Sequence, residues 1–75
     1  MKLINERFKE IRKELGYTQE EFANILGIKR CSAGAYDESR ALVPINLIPM
    51  VMELGNVPKE DMYDFLFEED YKFKN

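Results

Sequence analysis

The stretch Tyr17–Tyr36, YTQEEFANILGIKRCSAGAY, constrains the fold more than any other part of the chain. Thr18 is followed three residues later by Glu21, which is the pattern of a capping box. In that motif the Thr hydroxyl accepts from a backbone amide and the Glu carboxylate reaches back to the amide of the Thr. A helix therefore starts after Thr18, with Phe22, Ala23 and Leu26 as its buried face. Gly27 stops it, in a left-handed conformation that glycine adopts without steric cost, and Ile28 returns to the core. A second short helix covers Arg30 to Tyr36. It is intrinsically weak. Lys29 offers no side-chain oxygen to the first amides, and an interior glycine such as Gly34 costs about 1 kcal/mol relative to alanine. Packing of Ala33 and Tyr36 has to hold it. Two short helices joined by so tight a turn cross at a steep angle.

The flanking segments supply three further helices. Asn5 is a good N-cap residue, so the first helix is expected from Asn5 to Leu15, with Gly16 as its stop. Ile4, Phe8, Ile11 and Leu15 recur at helical spacing and face the core. Glu6, Glu10 and Glu14 alternate with Arg7, Lys9 and Lys13 on the wet side. The segment Asp37–Val43 reads as a loop closed by Pro44. A fourth helix follows, capped by Asn46, with Pro49 in the first turn where a missing amide is harmless. Leu47, Met50, Val51 and Leu54 form its apolar face, and Gly55 and Asn56 end it. Pro58 opens a fifth helix that runs to Phe67, with Met62, Phe65 and Leu66 apolar. The expected architecture is all-α: a compact five-helix bundle over residues 1–67 and a short acidic and aromatic tail over 68–75.

Size and residue inventory exclude several functions. A chain of 75 residues builds one domain around one small core. The single cysteine permits no internal disulfide and points to a cytoplasmic protein. No apolar run approaches the roughly 20 residues needed to span a bilayer, and the first residues lack the apolar segment of a secretion signal. Histidine is absent. Cys31 thus has no imidazole base, and a zinc site would have to be mostly carboxylate. Glu20 and Glu21 are neighbours on a helix and do not face each other, while Glu68, Glu69 and Asp70 read as a solvated tail. Catalysis, metal and cofactor are therefore not expected, nor is a small-molecule ligand.

Several motifs now stand together: the run Gly16-Tyr17-Thr18-Gln19-Glu20-Glu21, the pair Phe22–Ala23, the turn Leu26–Gly27–Ile28, the aromatic–acidic pair Tyr36–Asp37, then Pro44 and Leu54–Gly55. Together they resemble the Cro/repressor-type (XRE-like) helix-turn-helix domains of phage and bacterial transcriptional regulators. The resemblance covers residues 4–67. It is specific in the first half and holds in outline in the second, where the link Asn56–Lys59 is longer than usual. It implies a phage-repressor-like bundle whose second motif helix, residues 30–36, lies in the major groove of double-stranded DNA. It implies base contacts from Arg30, Cys31, Ser32 and Ala35, phosphate contacts from Gln19, Lys29 and Arg40, and a buried ion pair between Arg12 and Asp37. The chemistry suits those roles. Arginine forks to guanine O6 and N7, and Lys29 and Arg40 can neutralise phosphates. The chain departs from the family pattern at Gly34 and Ala35, which lack polar reach, at Ser39, where glycine is usual, and at Lys29, where a Ser or Thr cap is usual.

Charge and dimerisation complete the expectation. A net charge of −3 works against a polyanionic partner. Yet residues 1–44 hold eight Lys or Arg against seven Asp or Glu, while residues 45–75 hold three against seven, so the acidity is C-terminal. One domain of this size reads about one half-site, and specificity over a genome needs more contact. Pairing across a two-fold axis is the family's solution. Met62, Phe65, Leu66 and Phe67, with Tyr71 and Phe73 of the tail, offer the material for a homodimer, the tail acting as a short strand or arm. The alternative for the tail is a frayed chain end. The alternative for the function is a protein-interaction module of the same fold, an anti-repressor or antitoxin partner, with little DNA binding. Net acidity and the pair Gly34–Ala35 favour it.

Overall fold

Five α-helices follow one another in the computed structural model, which describes residues 3–72: α1 (Leu3–Leu15), α2 (Gln19–Leu26), α3 (Arg30–Asp37), α4 (Ile48–Leu54) and α5 (Met62–Phe67). The 3-10 turns Ile45–Leu47 and Lys59–Asp61 lead into α4 and α5. Each of these turns is entered from a proline, Pro44 at φ −69° and Pro58 at φ −62°, whose ring fixes the chain's angle of entry. No strand occurs among the described residues. After α5 the chain turns at residues 69–70, with the Tyr71 amide donating to Glu68 O at 3.2 Å; the strand or arm expected of the tail lies partly outside the described residues.

Helix α1 differs from its sequence reading at two polar positions. It begins at Leu3, so Asn5 lies inside the helix and does not cap it. Only 2 % of Asn5 is exposed. Its amide nitrogen donates to Tyr36 O at 2.9 Å and to Ala41 O at 2.7 Å. A buried amide must be paired, and this one ties α1 to the chain that leaves α3. Arg7 is also turned inward, at 4 % exposure, not out to water. Its guanidinium donates to Phe65 O at 3.0 Å, to Glu68 O at 2.6 Å and to Glu10 Oε1 at 3.3 Å. It also lies over the rings of Phe65 and Tyr71. Arg7 thereby satisfies carbonyls at the C-terminal end of α5, where a helix leaves acceptors unpaired and favours positive charge.

The core runs through all five helices. Phe8 meets Phe22 and Tyr36 edge to face, with centroids 5.0 and 5.7 Å apart. Ile4, Ile11, Ala23, Leu26, Ala33, Val43 and Phe65 close around them. In α4 the buried residues are Ile48, Val51 and Met52. Val51 and Met52 lie three and four residues after Ile48 and so share its face. Met50, expected on that face, falls on the other side and is 41 % exposed. Asn46 sits inside the 3-10 turn, and no side chain caps α4. Beyond α5, Tyr71 folds back on the chain. Its ring packs on Phe65 and its hydroxyl donates to Asp61 Oδ2 at 2.9 Å. Burial, and then the bond to the Asp61 carboxylate, push its pKa up.

Candidate nucleic-acid interface

Local rules fix α2 and α3. Thr18 Oγ1 accepts from the Glu21 amide at 3.1 Å, and Glu21 Oε1 accepts from the Thr18 amide at 2.9 Å. Gly27 closes α2 at φ +71°, and the next amide, of Ile28, returns to Ala23 O at 2.9 Å. Helix α3 then begins at Lys29 with no side-chain cap. Ala33 is fully buried against the core, which turns Lys29, Arg30 and Cys31 to solvent and leaves Ser32 and Ala35 half-buried. Neither Lys29 nor Arg30 forms an ion pair among the described residues.

The far end of α3 is committed to the fold. Asp37 accepts a bidentate pair from Arg12, Nε to Oδ1 at 2.9 Å and Nη2 to Oδ2 at 3.0 Å. Arg12 Nη1 donates to Tyr17 O at 2.8 Å, and Gln19 Nε2 donates to Asp37 Oδ2 at 3.3 Å. One carboxylate, 6 % exposed, thus joins α1, the entry to α2 and the end of α3. Ser39 supplies the left-handed turn that follows, at φ +60°. Arg40 comes next, with its Nε 2.9 Å from Glu38 Oε1 in an exposed pair. Gly34 lies under Gln19 and Arg40. A Cβ there would stand 3.3 Å from Gln19 Oε1 and 3.7 Å from Arg40 Nη2.

The expected contact residues therefore fall into two groups on α3. Lys29, Arg30 and Cys31 form its open start, while Gln19 and Arg40 meet over Gly34 on its second turn. Gln19 is already bonded inside the protein. The expected dimer residues divide differently. Phe65 is fully buried in the core and presents nothing to a partner, which corrects its place in the interface. Tyr71 packs on its own chain. Met62 and Phe67 are exposed and Leu66 is half-buried; Phe73 lies outside the described residues. Sequence reasoning missed Leu42 and Ile45, the latter 83 % exposed. With Ile4, Ile48, Leu66 and Phe67 they line an apolar groove of about 360 Å³. The apolar run Leu42-Val43-Pro44-Ile45 was the available signal.

Among the described residues no group of His, Cys, Asp and Glu could hold a metal ion, and no helix is long and apolar enough to cross a membrane. No protein-family profile matches the chain, and no solved structure matches it. A protein of Pyrococcus furiosus whose name places it among HTH-type transcriptional regulatory proteins is 29 % identical over 58 residues. The match spans 77 % of this chain and 18 % of that relative's length. Together, the five-helix bundle and this similarity support a helix-turn-helix regulatory fold in general.

Proposed function

We propose that this chain is a sequence-specific double-stranded DNA-binding regulator of Cro/repressor type. Helix α3 lies in the major groove with Arg30, Cys31, Ser32 and Ala35 at base edges, and Lys29, Gln19 and Arg40 hold the backbone. The observation that carries this reading is the open start of α3: Lys29 and Arg30 are exposed and unpaired among the described residues, on a helix pinned at its other end. The chain acts in the cytoplasm as a homodimer. Its interface is the groove edged by Leu42, Ile45, Leu66 and Phe67, together with the exposed Met62 at the start of α5. An exposed apolar surface of this kind marks an interaction site.

Selection of duplexes from a random pool by the full chain tests the reading, followed by titration of the selected duplex and a scrambled one at two salt concentrations. Tight, salt-dependent binding that favours the selected duplex is expected. No enrichment of any sequence would overturn it. A second reading, a protein-interaction module of the same fold, draws on the net charge of −3 and on the same apolar groove. It predicts that no duplex is retained.

A further inference from the structure

A glycine in the interior of α3 needs a reason. Alanine is a better helix former at such a position, and Gly34 has helical backbone angles, unlike Gly16 and Gly27, which have positive φ. Conformation therefore does not require glycine here. Space does. A Cβ at Gly34 would lie 3.3 Å from Gln19 Oε1 and 4.0 Å from Gln19 Cδ, closer to the oxygen than ordinary van der Waals contact. The side chain of Gln19 thus lies across α3 in the room the missing methyl leaves. From there its Nε2 reaches Asp37 Oδ2 at 3.3 Å, and Asp37 is itself fixed by Arg12. Arg40 reaches over the same spot, its Nη2 3.7 Å from the Cβ position, while its Nε is held by Glu38.

We propose that Gly34 is a positioning residue for DNA-phosphate binding, its missing side chain being the seat that brings Gln19 and Arg40 together; this rests on the DNA-binding reading above. A carboxamide carries two N–H donors. Gln19 gives one to Asp37 and keeps the other for a phosphate oxygen. Arg40 gives its Nε to Glu38 and presents its Nη2 above the helix. A phosphate settling over Gly34 meets both donors. A methyl at this position crowds Gln19 Oε1 and shifts the carboxamide off Asp37, while Arg40 Nη2 at 3.7 Å stays in ordinary contact. The seat therefore sets the place of the Gln19 donor beside that of Arg40. Gly34 is then a functional position although it has no functional group.

The full chain is compared with Gly34→Ala, Gln19→Ala and the double variant, on the duplex selected above and on a mixed-sequence duplex. Gly34→Ala is expected to melt at or above the wild-type temperature, because alanine favours the helix. It is expected to bind both duplexes about tenfold more weakly, the size of a lost hydrogen bond to a charged group. The slope of log K against log salt stays unchanged, because the carboxamide is neutral and its contact releases no counterion. In the Gln19→Ala background the same substitution changes affinity less than about twofold, since coupled residues do not add. Unchanged affinity in Gly34→Ala, or a slope that falls as if a cation had been lost, would overturn the proposal. A lowered melting temperature with an equal loss of affinity in both backgrounds would also overturn it, since Gly34 would then act on the fold alone. Should the wild-type chain retain neither duplex, the DNA-binding reading itself falls, and the assignment of Gly34 with it.

Discussion

The two ends of α3 are built on opposite principles. At its C-terminal end nearly every polar group is committed. Asn5 takes Tyr36 O and Ala41 O, Arg12 grips Asp37 through two nitrogens, and Gln19 adds a further donor to the same carboxylate. At its N-terminal end no side chain of Lys29 or Arg30 is committed among the described residues. Lys29 makes no cap bond, and Lys29, Arg30 and Cys31 face solvent. A helix must be fixed somewhere to present its side chains in a constant place, and free donors must remain somewhere to meet a ligand. Charge-assisted bidentate pairs are the strongest and most directional polar ties available. Concentrating them at one end leaves the other end open without loosening the helix as a whole.

The largest test of this division removes the tie. Arg12→Ala or Asp37→Ala strands a buried charge, which typically costs about 3–5 kcal/mol, a large share of the 5–15 kcal/mol or so that holds a domain together. The double variant should cost less than the sum of the two. Urea unfolding of all four proteins as a double-mutant cycle gives the coupling directly. Single-variant losses under about 1 kcal/mol, the range of exposed pairs, would mean that the C-terminal end is not the anchor.

Asn5 is the next tie. Asn5→Ala leaves Ala41 O without its donor, whereas Tyr36 O keeps the Ser39 amide at 3.2 Å. Ala41 is exposed, so water can take the lost donor's place and the cost is that of an ordinary hydrogen bond, about 0.5–1.5 kcal/mol. Hydrogen exchange locates the damage. The amides of Arg40 and Ala41, both bonded to Ala35 O, should exchange faster while those of α2 keep their protection. Uniform acceleration across the chain would show a global loss with no special role at this end.

These two ties were unequally legible in the sequence. The capping box at Thr18 and Glu21 and the turn at Gly27 could be read because they depend on residues within one turn of helix. Asn5 and Arg7 could not, because polar side chains among Glu and Lys neighbours look solvated. Their spacing held the clue: Arg7 stands three residues after Ile4 and four before Ile11, and Asn5 three before Phe8, all on buried rows. Phe65 and Phe67 show the same limit. They are two residues apart on one short helix and therefore point in different directions; only Phe65 reaches the core. The apolar groove was hidden for another reason. It joins Leu42 and Ile45 to Leu66 and Phe67, residues brought together only by the path of the chain through α4. At Gly34 the sequence shows an absence, and only the structure shows what occupies the space.

The open end is tested by a substitution that should leave stability alone. Arg30→Ala removes an exposed side chain that forms no ion pair among the described residues, so unfolding should shift by less than about 0.5 kcal/mol. If Arg30 forks to a guanine, affinity for the selected duplex should drop by about 1–3 kcal/mol and discrimination at one base pair should relax. Equal losses on selected and scrambled duplexes would leave Arg30 with a phosphate instead of a base.

The smallest effect sharpens the comparison most, because it should carry opposite signs in two measurements. Lys29 already has the backbone of an N-cap, φ −74° and ψ 148°, and its carbonyl accepts from the amides of Ser32 and Ala33. What it lacks is a short side-chain oxygen. Lys29→Ser supplies one, placed to accept from the amide of Cys31 or Ser32, and caps of this type are worth about 1 kcal/mol. The variant should therefore unfold at higher denaturant. It also removes a positive charge from the start of α3. Binding to every duplex should weaken, with the salt slope reduced by about 0.9 for one phosphate contact. A gain in stability together with a sequence-independent loss in affinity would mean that the open end is a fold left short of its best stability in favour of contact. A gain in stability with no change in affinity would mean that Lys29 is surface charge and that the open start of α3 begins at Arg30.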